Sequence, residues 1–185
     1  VIFDRSYKDL KSVVIPSKIR ISGHVYLVTS IGSEAFYGCS VLTSIKIPKR
    51  VTTIESRAFS LCEGLTRIEI PSSVTNIGEN AFGKCSALIN INVASDNYVF
   101  SSENGMLYDK NKTKLICVPE GEKGSIKIPS SVTSIGDYAF YRCKGLTSIK
   151  IPSGVTSIGN DAFRGCSGLT SIKIPSGVTS IGNDA

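Results

Sequence analysis

Histidine and methionine each occur once, and no run of 18 apolar residues exists anywhere in the 185. A hydrolytic site needs a general base, and the lone His24 lies beside a Ser22-Gly23 turn, where it reads as a solvated hairpin residue. Without a long apolar run, no segment is built to cross a membrane as a helix. Neither a glycine-rich phosphate loop nor a cysteine pair at zinc spacing is present. Serines and threonines are plentiful but recur at fixed intervals, which marks them as strand and turn residues, not nucleophiles. No secretory signal is seen, yet the chain starts at Val1 and stops at Ala185 inside a repeat. It is therefore expected to be a fragment or a mature portion, and the missing signal carries no weight on location. These absences predict a non-enzymatic chain with no cofactor and no metal site.

What is present is one 23-residue unit, cleanest at Leu146 to Gly168, LTSIKIPSGVTSIGNDAFRGCSG. Copies begin at Leu42, Leu65 and Leu169, a copy lacking its first residues opens at Ser125, and Ile31 opens the second half of another. Ile45, Ile68 and Ile91 are 23 apart, as are Ile126, Ile149 and Ile172, whereas Ile91 to Ile126 is 35, one period plus 12. The phase breaks once. A period of this length means a solenoid.

Within the unit, apolar residues sit two apart near the start and three apart at Phe163 and Cys166, which predicts a short strand followed by a short helix or turn. All seven prolines follow Ile or Val, where a residue without an amide hydrogen ends a strand. A glycine follows the second apolar pair in most copies (Gly32, Gly78, Gly136, Gly159, Gly182), with Glu55 the departure. If the glycines use positive φ, the Glu55 copy must turn differently. A single coil has nothing to bury its apolar side chains against, so neighbouring coils must supply the stability.

The pattern L-x-x-I-x-I-P…V-x-x-I-G-x-x-A-F-x-x-C, with five complete A-F-x-x-C units, resembles the leucine-rich repeats of the BspA-like family of bacterial surface proteins. The resemblance implies an α/β fold: a right-handed leucine-rich-repeat solenoid of short parallel strands with short helices or turns. It also implies a cell-surface or secreted location and a role in adhesion to host cells or matrix proteins. The chain reads as one domain over 1–185. Residues 1–30 form an N-terminal hairpin cap, 31–95 repeats, 96–124 an irregular hairpin-bearing insertion and 125–185 repeats, the last truncated. Residues 1–12 carry no repeat signal and read as an edge strand or a frayed terminus. Lys18 to Ile21 and His24 to Val28 read as a hairpin about Ser22-Gly23.

Cys39, Cys62, Cys85, Cys143 and Cys166 share one repeat position, so they are expected to stack as buried free thiols pointing the same way, a poor geometry for disulfides. Cys117 stands outside that series. Asp109, Asn111, Thr113 and Glu120 fall at positions 1, 3, 5 and 12 of a calcium-binding loop, but Lys114 replaces the glycine that the loop requires, and no flanking helices are evident. The insertion itself is either a lengthened, degenerate repeat or a recognition loop on a rigid scaffold.

Between inward isoleucines, the outward strand positions are Lys46, Glu69 and Asn92, then Lys127, Lys150 and Lys173. These six form the candidate binding face. Parallel strands stack about 4.8 Å apart, and two charges about 5 Å apart repel by roughly 0.8 kcal/mol in water. A lysine ladder is thus tolerable as a solvated face, and equally suited to an anionic partner such as an acidic host or matrix protein or a sulfated glycan. The net charge of +6 permits such a partner without demanding one. Nucleic acid is not expected, because the phenylalanines recur mainly at the inward A-F position. The alternative to a binding module is a structural spacer or stalk, since Leu146 to Ala162 recurs unchanged at Leu169 to Ala185. The truncated last coil leaves an apolar end, from which end-to-end self-association is expected.

Overall fold

The 23-residue spacing becomes spatial register. Ile68 pairs with Ile91, Ile126 with Ile149, and Ile31 with Ile54 and then Ile77. In this computed structural model, which describes residues 8–185, the elements are all strands. The first part of the chain holds β1 (Ser12–Val14), β2 (Lys18–Ile21), β3 (His24–Leu27), β4 (Ser30–Ile31), β5 (Ser44–Lys46) and β6 (Thr53–Ile54). Then come β7 (Arg67–Ile70), β8 (Asn76–Ile77), β9 (Asn90–Val93), β10 (Phe100–Glu103), β11 (Met106–Asp109) and β12 (Lys114–Cys117). The chain continues through β13 (Lys123–Lys127), β14 (Ser134–Ile135), β15 (Gly145–Lys150), β16 (Ser157–Ile158) and β17 (Ser180–Ile181).

Each coil uses two strands. The L-x-x-I-x-I strands pair in parallel as β1 with β5, β7 with β9, and β13 with β15. The shorter T-x-I rungs form the ladders β4-β6-β8 and β12-β14-β16-β17. Threonine holds the second ladder together, with the hydroxyl of one coil donating to the threonine carbonyl of the coil before it, as in Thr52 to Thr29 and Thr156 to Thr133, both at 3.2 Å. Proline ends the strands as expected, and the amides of Val51, Val74, Val132, Val155 and Val178 donate back to the proline carbonyl three residues earlier.

Of the short helices or turns expected over A-F-x-x-C, only turns form, so the α/β label is not confirmed. Among the described residues there is no α-helix, and 33–38, 56–61, 79–84, 137–142 and 160–165 are runs of turns. The reason is backbone sign. The residue before Ala (Glu34, Arg57, Asn80, Tyr138, Asp161) and the residue before Cys (Gly38, Leu61, Lys84, Arg142, Gly165) all have φ between 50° and 79°. Left-handed residues at that spacing cannot carry a right-handed helix. Instead, amides alternate between two acceptors. Ala35, Tyr37 and Cys39 donate within their own corner, while Glu34, Phe36 and Gly38 donate to Ser56, Ala58 and Ser60 of the next. The corner is therefore a hydrogen-bonded layer in the stack.

The repeat glycine also differs from expectation. Gly32, Gly78, Gly136, Gly159 and Gly182 are not among the positive-φ residues. Space demands glycine at the inner coils: a Cβ at Gly78 would lie 2.3 Å from the Ser56 amide nitrogen, and one at Gly159 would lie 2.5 Å from that of Asp137, whereas at Gly32 of the first coil it would meet nothing within 4 Å. At the Glu55 coil the carboxylate reaches back to accept from the Ser33 amide at 2.8 Å.

The interior stacks like on like. Phe36, Phe59 and Phe82 lie face to face at 5.4 and 5.9 Å, and Phe140 and Phe163 at 4.8 Å. All six cysteines are free. Four of them donate to a carbonyl of the preceding coil: Cys62 to Phe36 and Cys85 to Phe59 at 3.1 Å, Cys166 to Phe140 at 3.0 Å, and Cys143 to Val118 at 3.6 Å. Burial pushes the Cys39 and Cys166 thiols up to about 11.

The phase break has a structural form. Asn97 lies 23 residues after Val74 and repeats its turn, donating its amide to Ala94, and Phe100 lies 23 after Ile77. Coil geometry thus persists to Phe100, after which β10 and β11 form a hairpin and β12 rejoins the ladder through Leu115, opposite Ile135. The chain passes from the Phe100 rung to the Leu115 rung without making a corner. β11 then stands as a wall across the interior, with Leu107 in the core of the first run and Met106 and Tyr108 in that of the second.

At the N-terminal end the hairpin forms as expected, Ile21 opposite His24 about a Ser22-Gly23 turn with both residues at positive φ. Cover over the first coil comes from β1 and Ile15, whose amide donates to Lys46. Ile21, Val25, Tyr26 and Leu27 of the hairpin stay about half exposed. Of residues 1–12 only 8–12 are described: the Lys11 carbonyl accepts from the Thr43 amide at 2.8 Å and Ser12 opens β1, while the rest of that expectation lies outside the described residues.

Candidate functional site: the strand face and the seam

All six residues of the expected binding face are exposed, but they do not form one column. Glu69 and Asn92 are register partners on β7 and β9, and Lys46 pairs with Val14 of β1. Lys127 and Lys150 are partners on β13 and β15. Between the groups the ladder is interrupted, because β9 meets the tip of the β10-β11 hairpin, where the Ile91 amide donates to Gly105 at 2.9 Å. Lys173 lies on 170–175, which forms no strand, so the lysine ladder has two paired rungs and not three. Ile172 and Ile174 on either side are 38% and 37% exposed.

The first group borders a groove of about 710 Å³ over β5, β7 and β9. Lys46, Lys49 and Arg67 face Glu69 and Asp96 there, above Ile70 and Val93. Its charges are mixed. The second group is uniformly cationic, and Lys127 and Lys150 are set side by side by the parallel register of β13 and β15.

The calcium-loop residues are used otherwise. The Asp109 carboxylate accepts from the Thr113 amide at 2.7 Å, the Thr113 hydroxyl at 2.5 Å and the Lys114 amide at 2.8 Å, closing the β11-β12 turn. Glu120 lies elsewhere, its Oε1 accepting from Arg142 Nε at 3.4 Å. Among the described residues no group of three His, Cys, Asp or Glu is placed to hold a metal. The hydrogen bond of His24 is local, its Nδ1–H donating to the Ser22 carbonyl oxygen at 3.1 Å.

A second site was not read from the sequence. The missing corner leaves a cavity of about 340 Å³ at the seam, bounded by Phe82, Phe100, Leu107, Ile116 and Val118. Glu120 lines it too, with its side chain 8% exposed and Oε2 buried without a partner. Burial raises its carboxyl above the ordinary range, opposed by the Arg142 guanidinium. The available signal was the 35-residue step itself, which is too long for one coil and too short for two.

Six copies of the BspA type leucine rich repeat region match residues 2–123 and 120–185. The chain belongs to this family. A leucine rich cell surface protein from Faecalibacterium prausnitzii A2-165 is 35% identical with a TM-score of 0.73, and the match covers 94% of this chain and 50% of that one. A leucine-rich repeat protein from Eubacterium ventriosum ATCC 27560 is 29% identical with a TM-score of 0.61, covering 96% and 57%. The pneumococcal vaccine antigen PcpA, 20% identical over 97% of this chain and 70% of its own, shares the fold with a TM-score of 0.63. Among curated proteins none matches the chain. The BspA-type chain thus spans about half the length of the Faecalibacterium and Eubacterium relatives. Its architecture is that of a leucine-rich-repeat scaffold, a fold typically used for binding.

Proposed function

We propose that this chain is a non-enzymatic binding module of a cell-surface or secreted bacterial protein, and that its strand face engages an anionic host or matrix macromolecule, either an acidic protein surface or a sulfated glycan. The observation that carries this reading is the Lys127-Lys150 register pair, two like charges held on adjacent parallel strands of a protein with net charge +6. Such an arrangement costs a little in isolation and gains when a polyanion bridges it. The kinship with a leucine rich cell surface protein supports the location.

The test is binding to immobilised fibronectin, fibrinogen and heparin across a salt series, beside a variant carrying Lys127→Glu, Lys150→Glu and Lys173→Glu. Saturable binding that weakens with salt and is lost in the variant is expected. If both forms ignore the whole panel, the spacer reading replaces this one. That second reading keeps a specific support: the outward Ser-Lys positions recur unchanged from Leu146 to Ala162 and from Leu169 to Ala185, where a dedicated binding face would diversify.

A further inference from the structure

The corner layers hand hydrogen bonds from coil to coil. Glu34, Phe36 and Gly38 donate to Ser56, Ala58 and Ser60, and Arg57, Phe59 and Leu61 donate to Glu79, Ala81 and Gly83. On the far side of the seam, Tyr138, Phe140 and Arg142 donate to Asn160, Ala162 and Arg164. At the seam this relay stops. The equivalent amides of Asn80, Phe82 and Lys84 meet no backbone carbonyl among the described residues, because the rung at Phe100 turns into the hairpin and never makes a corner. The layer resumes only with Val118, whose amide donates to Ala139.

The column of rings is broken at the same level, where Val118 stands at the phenylalanine position. Phenylalanine rings stack at 4.8 to 5.9 Å within each run, but the residue between Phe82 and Phe140 in the column is Val118. The seam cavity opens beside it, floored by Phe100 and Leu107. One wall thus carries the unpaired amides of Asn80 and Phe82, with that of Lys84 next in the same row, beside the Phe82, Phe100 and Leu107 surface where a ring would stack.

We infer that the seam is a peptide-binding site, taking a short polypeptide segment with the chemistry of the missing corner: three carbonyls at alternate residues facing Asn80, Phe82 and Lys84, and one aromatic side chain inserted against Phe82. A chain that adds itself to an open hydrogen-bonded edge gains affinity from its backbone and specificity from the side chain it buries. The carbonyl triplets Ser56-Ala58-Ser60, Glu79-Ala81-Gly83 and Asn160-Ala162-Arg164 already fit such an edge, since each accepts from the coil before it. This site is separate from the strand face, and the charged residues on its cavity are Glu79, Lys114, Glu120 and Asp137, not the strand lysines.

The test uses the full chain and a capped peptide of residues 159–167 as probe. Amide exchange at Asn80, Phe82 and Lys84 is expected to slow by at least about tenfold on saturation with the probe, as for newly hydrogen-bonded amides. The same peptide with Phe163→Ala should bind at least about tenfold more weakly, having lost its buried ring. Val118→Phe, which refills the column, should also weaken the probe, and Lys127→Glu with Lys150→Glu should leave it unchanged. Exchange that stays fast at millimolar probe, or protection that the Phe163→Ala peptide reproduces in full, overturns the proposal. The peptide comparison is made on the unaltered protein, so it decides the matter even if Val118→Phe fails to fold. Loss of heparin or matrix binding would refute the strand face alone and leave this site standing.

Discussion

Asn97 occupies the position that valine holds in every neighbouring coil, and it is fully buried. Its Nδ2 donates to the Pro71 and Val74 carbonyls at 2.9 Å, and its Oδ1 accepts from the Val99 and Phe100 amides at 2.9 and 2.8 Å. All four hydrogen-bonding positions of the amide are filled. The side chain serves as a pin, tying the last regular coil to the start of the hairpin that departs from it. Asn97→Val would restore the repeat in sequence but strand two amides and two carbonyls at the seam. At roughly 1–3 kcal/mol for each buried group left unpaired, with some relaxation, a loss of about 2–4 kcal/mol is expected. Urea unfolding should show it as a lower midpoint at unchanged slope. Sequence reading follows residue type, and a polar residue in an apolar column is invisible to it even when the spacing from Val74 to Asn97 is kept. The isoleucine, phenylalanine and cysteine columns were legible because their types recur with their positions.

The corner and the hairpin show which elements could be read and which could not. Phe163 and Cys166 sit three apart, a spacing that serves a helical turn and a run of tight turns equally well, and the sign of φ at Asp161 and Gly165 leaves no mark in the apolar pattern. The antiparallel β11-β12 pair was legible as apolar stretches on either side of polar residues, whereas 101–105 reads as turn and holds most of β10; the burial of β11 was not legible either, because it reads Met-Leu-Tyr with no polar alternation. Such a run belongs to a strand covered on both faces. Met106 and Leu107 are 2% and 0% exposed, on opposite sides of the wall. Coils of a solenoid touch only their neighbours, so two runs separated by an irregular block have no inherent need to unfold together. The wall supplies that need. Leu107→Ala is expected to cost about 2–4 kcal/mol, and to speed amide exchange at Ile54 in the first run and at Ile135 in the second alike. If only the first run loosens, β11 does not couple them.

At the scale of these 185 residues taken by themselves, the stack is limited by its two outermost coils. β17 pairs with β16 on one side only, and Ile181 on it is 58% exposed, beside the partly exposed Ile172 and Ile174. The opposite end presents Val14 at 70% and the half-exposed hairpin residues Val25 and Tyr26. Two different apolar ends make a head-to-tail contact, which is heterologous and extends into chains of molecules instead of closing as a dimer. A two-residue rung buries little, well below the roughly 1,000 Å² of a stable interface, so association should be weak, with Kd on the order of 0.1–1 mM. Sedimentation equilibrium of this chain should therefore show mass rising continuously with concentration, without a plateau at twice the monomer. Ile181→Lys places a charge on the open edge, the device by which edge strands avoid pairing, and should return the profile to monomer. A chain that stays monomeric at millimolar concentration would mean that the exposed isoleucines fold back on their own coil, and the ends of the stack would then be closed by the repeat itself.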